Sequence, residues 1–173
     1  MWKGAAGGTF VARVAAVDRD AGDAGRVACV IDPQTGSRMF KLLPVPTADD
    51  KAEYRLVTGD NAEFDREEVD RYRVTVICVD RGTPPLSTNG SLEVLVEDVN
   101  DNEPRLSRHH YVFRVAENSG RSTEIGTITA EDSDLGPNGS VSFSLEPQDA
   151  ESSDSDAFQV DPETGVITVE AGL

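Results

Sequence analysis

A stretch near the start of the chain returns in nearly the same form near its end. Residues 17–31 read VDRDAGDAGRVACVI, and residues 131–145 read EDSDLGPNGSVSFSL. Asp18 aligns with Asp132, and the other matched residues keep the same offset (132 − 18 = 114). A period of this length is too long for a solenoid unit and suits a whole small domain. The chain of 173 residues therefore contains parts of two tandem domains.

Short stretches of alternating apolar and polar residues make up much of the chain. In YRVTVICVD (72–80), the residues at every second position are Tyr72, Val74, Val76 and Cys78. Such alternation predicts strands with one buried face. We predict strands at 11–18, 26–31, 72–80, 91–98, 111–117, 124–132, 140–145 and 156–169. Short strands separated by turns rich in Gly, Pro and Asp predict an antiparallel sandwich.

The acidic charge excludes several classes of partner. The chain has 32 Asp and Glu residues against 16 Lys and Arg residues, which gives a formal net charge of −16. Such a surface repels nucleic-acid phosphates and anionic lipids, so we expect neither as a partner.

No signal peptide and no apolar run of about 20 residues is visible. We interpret the chain as a segment of a longer protein.

Side chains that carry oxygen cluster at four places. The clusters are Asp18-Arg-Asp20, Asp65-Arg-Glu67, Asp98–Asn102 and Asp132-Ser-Asp134. None contains His or Cys, so their ligand type favours Ca²⁺ or Mg²⁺ over Zn²⁺. Each cluster taken singly is also typical of a turn, a strand end or a linker. An EF-hand loop is excluded, because the sixth residue counted from Asp98 is Glu103 instead of glycine.

In their joint order, these motifs resemble the extracellular repeat of the cadherin family. The matching segments are 64–67, 79–87, 98–104, 116–118 and 132–139. Their Gly-rich form is more similar to protocadherin, dachsous, fat and flamingo-type chains than to cell-junction cadherins. The resemblance implies an all-β fold of tandem seven-stranded Greek-key (immunoglobulin-like) sandwiches, both truncated. Residues 1–103 are then a repeat without its first strand, ending in the calcium-binding linker 98–104, and residues 104–173 begin a second repeat.

The resemblance also implies a calcium cofactor at the junction between the repeats, where bound ions stiffen the hinge. The implied ligands are Asp65, Glu67, Asp98, the Val99 carbonyl, Asn100, Asp101, the Asn102 carbonyl, Asp132, Asp134 and the Asn138 carbonyl. Four further acids are implied for outer junctions. Asp18, Asp20 and Asp80 would serve a junction before residue 1, and Glu117 a junction after residue 173.

The function that the resemblance implies is calcium-dependent cell–cell adhesion or recognition. The chain would belong to the extracellular part of a plasma-membrane protein whose transmembrane segment lies outside it. Its partners would be other cadherin-family ectodomains on an apposed cell, bound homophilically or heterophilically. The alternative is a structural or tension-bearing spacer without its own partner surface. We expect no enzymatic activity and no small-molecule substrate, because no nucleophile elbow or phosphate-binding glycine loop is present.

Two further features need a structure to be interpreted. Cys29 and Cys78 fall at inward-facing positions of two strands that, as the resemblance implies, are neighbours in such sandwiches. Free thiols that pack as small apolar groups are the favoured interpretation, and a disulfide is the alternative. The sequon that begins at Asn89 lies in a predicted exposed turn and is a candidate glycosylation site.

Overall fold

The computed structural model describes residues 4–20, 22–36, 38–47, 51–146 and 157–170. The chain divides into two compact units, Met1–Val99 (unit 1) and Asn100–Leu173 (unit 2). Regular structure in the described ranges consists of eleven β-strands and one 3₁₀ helix, Gly22–Gly25. None of these described elements is a helix long and apolar enough to span a membrane. The prediction of an all-β fold is confirmed.

Unit 1 contains two three-stranded antiparallel sheets. Its strands are β1 (Phe10–Ala16), β2 (Ala28–Ile31), β3 (Phe40–Val45), β4 (Ala52–Thr58), β5 (Arg71–Val79) and β6 (Ser87–Leu95). One sheet has the order β1-β4-β3, and the other has the order β2-β5-β6. Strands β1 and β6 therefore each lie at an edge of their sheet.

The two sheets of unit 1 enclose a hydrophobic core. Phe40 and Leu56 come from one sheet, and Val74 and Val94 come from the other; all four belong to one buried cluster. Phe64, in the loop after β4, joins this cluster with its ring centroid 5.6 Å from that of Phe40. Burying side chains of this size contributes about 1.5–3 kcal/mol each. The alternation seen in β5 thus places one face of the strand in the core, as predicted.

Unit 2 contains five short strands. They are β7 (Arg105–Leu106), β8 (Glu124–Thr127), β9 (Ala130–Glu131), β10 (Phe158–Val160) and β11 (Val166–Val169). The strand order is β10-β11-β8 in one sheet and β7-β9 in the other. Val160 and Val169 supply buried side chains.

Two strand predictions in unit 2 are wrong, and a third lies partly outside the described residues. Residues 111–117 and 140–145 alternate in sequence, but the structure assigns no strand to either. Alternation fixes which side chains share a face, whereas a strand also needs a hydrogen-bonded neighbour. Residue 156, the first of the last predicted strand, is not among the described residues.

Strand β6 begins earlier than predicted. Ser87–Gly90 fall in the predicted turn, yet they pair with β5 because that long strand offers ladder partners along its whole length. Asn89 therefore lies opposite Ile77 in a strand instead of a turn. Its side chain is exposed, so the candidate glycosylation site stays accessible.

Cys29 and Cys78 form a disulfide, so the preference for free thiols is wrong. The two residues are directly opposite each other in the ladder between β2 and β5. The sequence fixes their inward orientation but not this register, and a slip of one residue would turn one cysteine to the other face of its sheet.

Reducing this disulfide is expected to lower the free energy of unfolding by about 2–4 kcal/mol, because the bond closes a long loop in the unfolded chain. The bridged residues are 49 positions apart. Urea unfolding with and without a phosphine reductant measures the change. The variant Cys29→Ala/Cys78→Ala is the control and should not respond to reductant. Two titratable thiols in the native, unreduced protein would contradict the pairing.

Candidate metal centre

A tight turn after the buried Phe64 positions the Asp65-Arg66-Glu67 motif in unit 1. The Glu67 N–H donates to the Asp65 carboxylate (N···Oδ1 3.0 Å). The Val69 N–H donates to the Asp65 carbonyl oxygen at 2.8 Å. Phe64 is 1% exposed and anchors the start of the turn in the core. The motif is thus held against the sandwich instead of forming a free loop.

The guanidinium of Arg66 contacts two of the predicted ligands in unit 1. Its Nε lies 2.6 Å from Asp98 Oδ1, and its Nη2 lies 2.7 Å from Glu67 Oε1. Burial tends to lower the pKa of Arg66, but the carboxylates of Glu67 and Asp98 outweigh this effect and raise it. The sequence interpretation gave Arg66 no role. Its position between two acids in the sequence motif could have indicated a role, because a cation there offsets the repulsion between the acids.

In unit 2, the Asp132-Ser-Asp134 motif forms a compact turn. The Asp134 N–H donates to the Asp132 carboxylate (N···Oδ1 2.9 Å). Gly139 passes so close that a Cβ on it would lie 2.2 Å from the Asp134 carbonyl oxygen. Only glycine allows this approach of backbone to backbone. The turn leaves Asp134 6% exposed, which is low for a carboxylate.

Asn102 contacts the buried carboxylate of Asp134 with both of its donors. The Asn102 backbone N–H lies 3.2 Å from Asp134 Oδ2, and the side-chain Nδ2 lies 2.6 Å from Oδ1. The same amide donates to Asp101 Oδ1 at 3.0 Å. Asn102 was predicted as a ligand through its carbonyl oxygen. The structure adds a positioning role, because its amide orients two acids of the predicted set.

Unit 1 contains a second copy of this turn, built from Asp18 and Asp20. The Asp20 N–H donates to the Asp18 carboxylate (N···Oδ1 2.9 Å). A Cβ on Gly25 would lie 2.2 Å from the Asp20 carbonyl oxygen, as at Gly139 in unit 2. Asp80 accepts hydrogen bonds from two backbone N–H groups of the loop that follows β5. Asp18, Asp20 and Asp80 line one groove of unit 1.

The remaining predicted residues lie in exposed backbone segments. They are Val99, Asn100, Asn138 and Glu117. The Asn138 N–H donates to the Leu135 carbonyl oxygen at 3.2 Å, which closes the turn that Asp134 begins. Glu117 precedes Asn118, whose φ is 66°. Exposure leaves the oxygens of these residues accessible to an ion.

The oxygen atoms that these residues offer as ligands suit calcium. The acids and amides of both units offer oxygen only, and Ca²⁺ takes about 6–8 oxygen ligands in flexible geometry. In unit 2, carboxylate oxygens of Asp101 and Asp134 lie within 4.8 Å of each other. Two carboxylates this close favour a shared cation.

Replacing Asn102 with alanine is expected to lower the free energy of unfolding of unit 2 by about 1–3 kcal/mol in EDTA. The substitution removes the side-chain hydrogen bond to Oδ1 of the buried Asp134 carboxylate and leaves only the backbone N–H of residue 102 as a donor to it. Urea unfolding followed by circular dichroism measures the loss. Asn100→Ala is the matched control, since Asn100 is exposed, and it should change little. Equal effects of the two substitutions would show that the contact with Asp134 contributes nothing.

Comparisons with known proteins agree along nearly the whole chain. A family model described as the cadherin domain matches residues 4–97 and 111–173. Human protocadherin gamma-B4 is 37% identical over 161 residues, which are 92% of this chain and 16% of that protein. Human protocadherin-18 is 39% identical over 160 residues, 92% of this chain and 13% of that protein. The chain therefore spans only a small part of these curated relatives.

Solved structures show the same relationship. A structure described as the protocadherin gammaB7 EC3-6 cis-dimer matches 99% of this chain and 38% of its own, with a TM-score of 0.82 and 33% identity. Mouse cadherin-23 EC22-24 matches 100% of this chain and 50% of its own, with a TM-score of 0.74 and 30% identity. By sequence and by structure, the chain belongs to the cadherin family, whose members are adhesion proteins and not enzymes.

Proposed function

We propose that this chain is part of a calcium-dependent adhesion ectodomain. The observation that carries the proposal is the concentration of oxygen ligands around Asp134, within a chain that the cadherin family model matches in both halves. Calcium binding is a feature of that family. Extracellular calcium modules bind with a Kd of about 10⁻⁴–10⁻³ M, so such sites fill outside cells and empty inside them.

The proposed calcium ligands are those that the family resemblance implies. They are Asp65, Glu67, Asp98, the Val99 carbonyl, Asn100, Asp101, the Asn102 carbonyl, Asp132, Asp134 and the Asn138 carbonyl. Two observations support the set, each within one unit. Asp98 and Glu67 contact the cationic Arg66 in unit 1, and Asp101 lies beside Asp134 in unit 2. We place the boundary between the repeats in the linker 98–104.

A second set of ligands is proposed for neighbouring junctions. Asp18, Asp20 and Asp80 line one groove at an end of unit 1, with the same turn that holds Asp132 and Asp134. Glu117 is proposed for the junction that follows unit 2. Calcium at these places would stiffen the rod of repeats, because an ion held by several segments restrains all of them.

The proposed partners are other cadherin-family ectodomains on an apposed cell, and the proposed location is the outer face of the plasma membrane. A spacer without a partner surface is the alternative function. The relatives named above include one described as a cis-dimer, which supports contacts between such ectodomains.

Calcium at about 10 mM is expected to stabilise the protein by about 1–3 kcal/mol, given the affinity typical of extracellular modules. Asp134→Asn should remove most of this gain, because it takes the charge from the most buried of the predicted ligands. Thermal unfolding in calcium and in EDTA measures the stabilisation of each variant by calcium. Glu163→Gln is the matched control, since it removes one exposed charge from the same unit. A calcium gain that survives in Asp134→Asn would refute the assignment.

Adhesion is tested by coating beads with the chain and counting aggregates. We expect clusters in millimolar calcium that disperse in EDTA, and fewer clusters with Asp134→Asn. Dispersed beads in both conditions, with the calcium stabilisation intact, would support the spacer instead. The mixture of these beads with beads that carry a protocadherin ectodomain separates homophilic from heterophilic binding.

A further inference from the structure

Four apolar side chains lie together on the outer face of the sheet β2-β5-β6 in unit 1. This apolar patch consists of Ala28, Val30, Ile77 and Val79. The residues between them on the same strands, such as Cys29 and Cys78, are 7% exposed and belong to the core. Because side chains alternate between the two faces of a sheet, the apolar patch is on the face that points away from the core.

The apolar patch occupies two neighbouring rows of the sheet. Val30 lies opposite Ile77, and Ala28 lies opposite Val79. Val30 is 57% exposed and Val79 is 36% exposed. No charged residue belongs to either row, although charged residues make up 28% of the chain. Single exposed apolar residues are ordinary on a protein surface, but a contiguous and uncharged group of them indicates that something covers it.

Asn89 is in line with the apolar patch. It lies opposite Ile77 in the ladder between β5 and β6, so Asn89, Ile77 and Val30 form one row across three strands. Directly opposite residues project their side chains from the same face of the sheet. Neighbouring strands are about 4.8 Å apart, so Val30 lies about 10 Å from Asn89. One or two sugar rings on the Asn89 side chain are therefore long enough to reach both apolar residues.

The Asn89 side chain is available for modification. Residues 89–91 read NGS, which is an acceptor sequence for N-glycosylation. Asn89 is exposed, and its side chain has no hydrogen-bond partner within the part of the chain that the structure describes. A sugar attached to its Nδ2 therefore displaces no contact of the folded protein.

The disulfide indicates a compartment in which this sequon is used. The bond between Cys29 and Cys78 joins the two strands that carry the apolar patch. Disulfides persist in oxidising compartments such as the secretory pathway, where N-glycans are also attached. Modification of Asn89 therefore rests on the extracellular location proposed above.

We propose that Asn89 carries an N-linked glycan whose first sugar residues pack on the apolar patch. In the transfer, the Asn89 Nδ2 loses a proton and forms a bond to C1 of an N-acetylglucosamine. The bond from that carbon to a lipid diphosphate breaks, and the lipid diphosphate leaves. The C–H faces and the N-acetyl methyl group of the sugar then lie on Ile77 and Val30, which removes apolar surface from water. The sugar hydroxyl groups stay hydrated.

A glycan in this place divides the outer face of the sheet. At the covered end, the apolar patch is closed to a protein partner and does not promote aggregation. At the other end, Arg73 lies opposite Glu93, and Arg71 lies opposite Leu95. This charged end stays open, so contacts of the sheet with a partner ectodomain are confined to it.

The first experiment locates the glycan and measures what it covers. The full chain is secreted from mammalian cells, and peptide mass spectrometry is expected to find the glycan on Asn89. Hydroxyl-radical footprinting in EDTA then compares this protein with Asn89→Gln, which lacks the glycan and keeps an amide. We expect oxidation of Ile77 and Val30 to fall several-fold in the glycosylated protein. The fall at Ile77 should persist after an endoglycosidase has trimmed the glycan to a single N-acetylglucosamine.

Leu95 is the internal control for the footprint. It is 57% exposed on the same face, six residues along β6 from Asn89 (95 − 89 = 6). At about 3.4 Å per residue it lies about 20 Å away, so its oxidation should not change in the trimmed protein. An unmodified Asn89, or equal oxidation of Ile77 with and without the glycan, would overturn the proposal. Protection of the apolar patch in Asn89→Gln that rises with protein concentration would assign the patch to a second copy of the chain instead. Because the measurements are made without calcium, each of these outcomes leaves the calcium function unaffected.

The second experiment tests whether the sugar and the apolar patch stabilise each other. The trimmed glycosylated protein is expected to have a Tm a few degrees above that of Asn89→Gln, and most of this gain should vanish when both carry Ile77→Thr. Leu95→Thr is the matched control, because it makes a similar change on the same face away from Asn89, and it should keep the gain. An undiminished gain with Ile77→Thr would show that the sugar does not pack on the patch. If Ile77→Thr fails to fold, the footprint of the protein with an unaltered patch decides the proposal.

Discussion

The carboxylates of Asp134, which is 6% exposed, and of Asp101 lie within 4.8 Å of each other and repel one another. Like charges at this separation repel each other, and the burial of one of them reduces the screening by water. The amide of Asn102 offsets part of this repulsion through its hydrogen bonds, but it brings no positive charge. In unit 1, the repulsion between carboxylates is offset by a positive charge, because the guanidinium of Arg66 contacts both Glu67 and Asp98. The two units therefore differ in how the repulsion between these acids is offset.

The sandwich core decides where these acids lie. In β5, alternate residues such as Val74 and Cys78 are buried, and the two ends of the strand carry Asp70 and Asp80. Because β6 runs antiparallel to β5, its last residues lead to Asp98 at the same end as Asp70. Hydrophobic packing thus fixes the register of the strands. That register places the polar residues at the strand ends at one end or the other of the sandwich.

The charge of the chain opposes its folding. A net charge of −16 disfavours the compact state through self-repulsion. A cation bound at the acidic turns, as proposed above, would relieve that repulsion locally.

The sequence by itself determined the all-β class, the repeat of 114 residues and the family, because alternation, glycine turns and acidic motifs are local patterns. It also determined the two aspartate turns, where Gly25 and Gly139 are required by close backbone contacts. Only the tertiary structure decided the pairing of Cys29 with Cys78, the early start of β6 and the role of Arg66. These features depend on strand register and on contacts between residues far apart in the chain, and no local pattern specifies either.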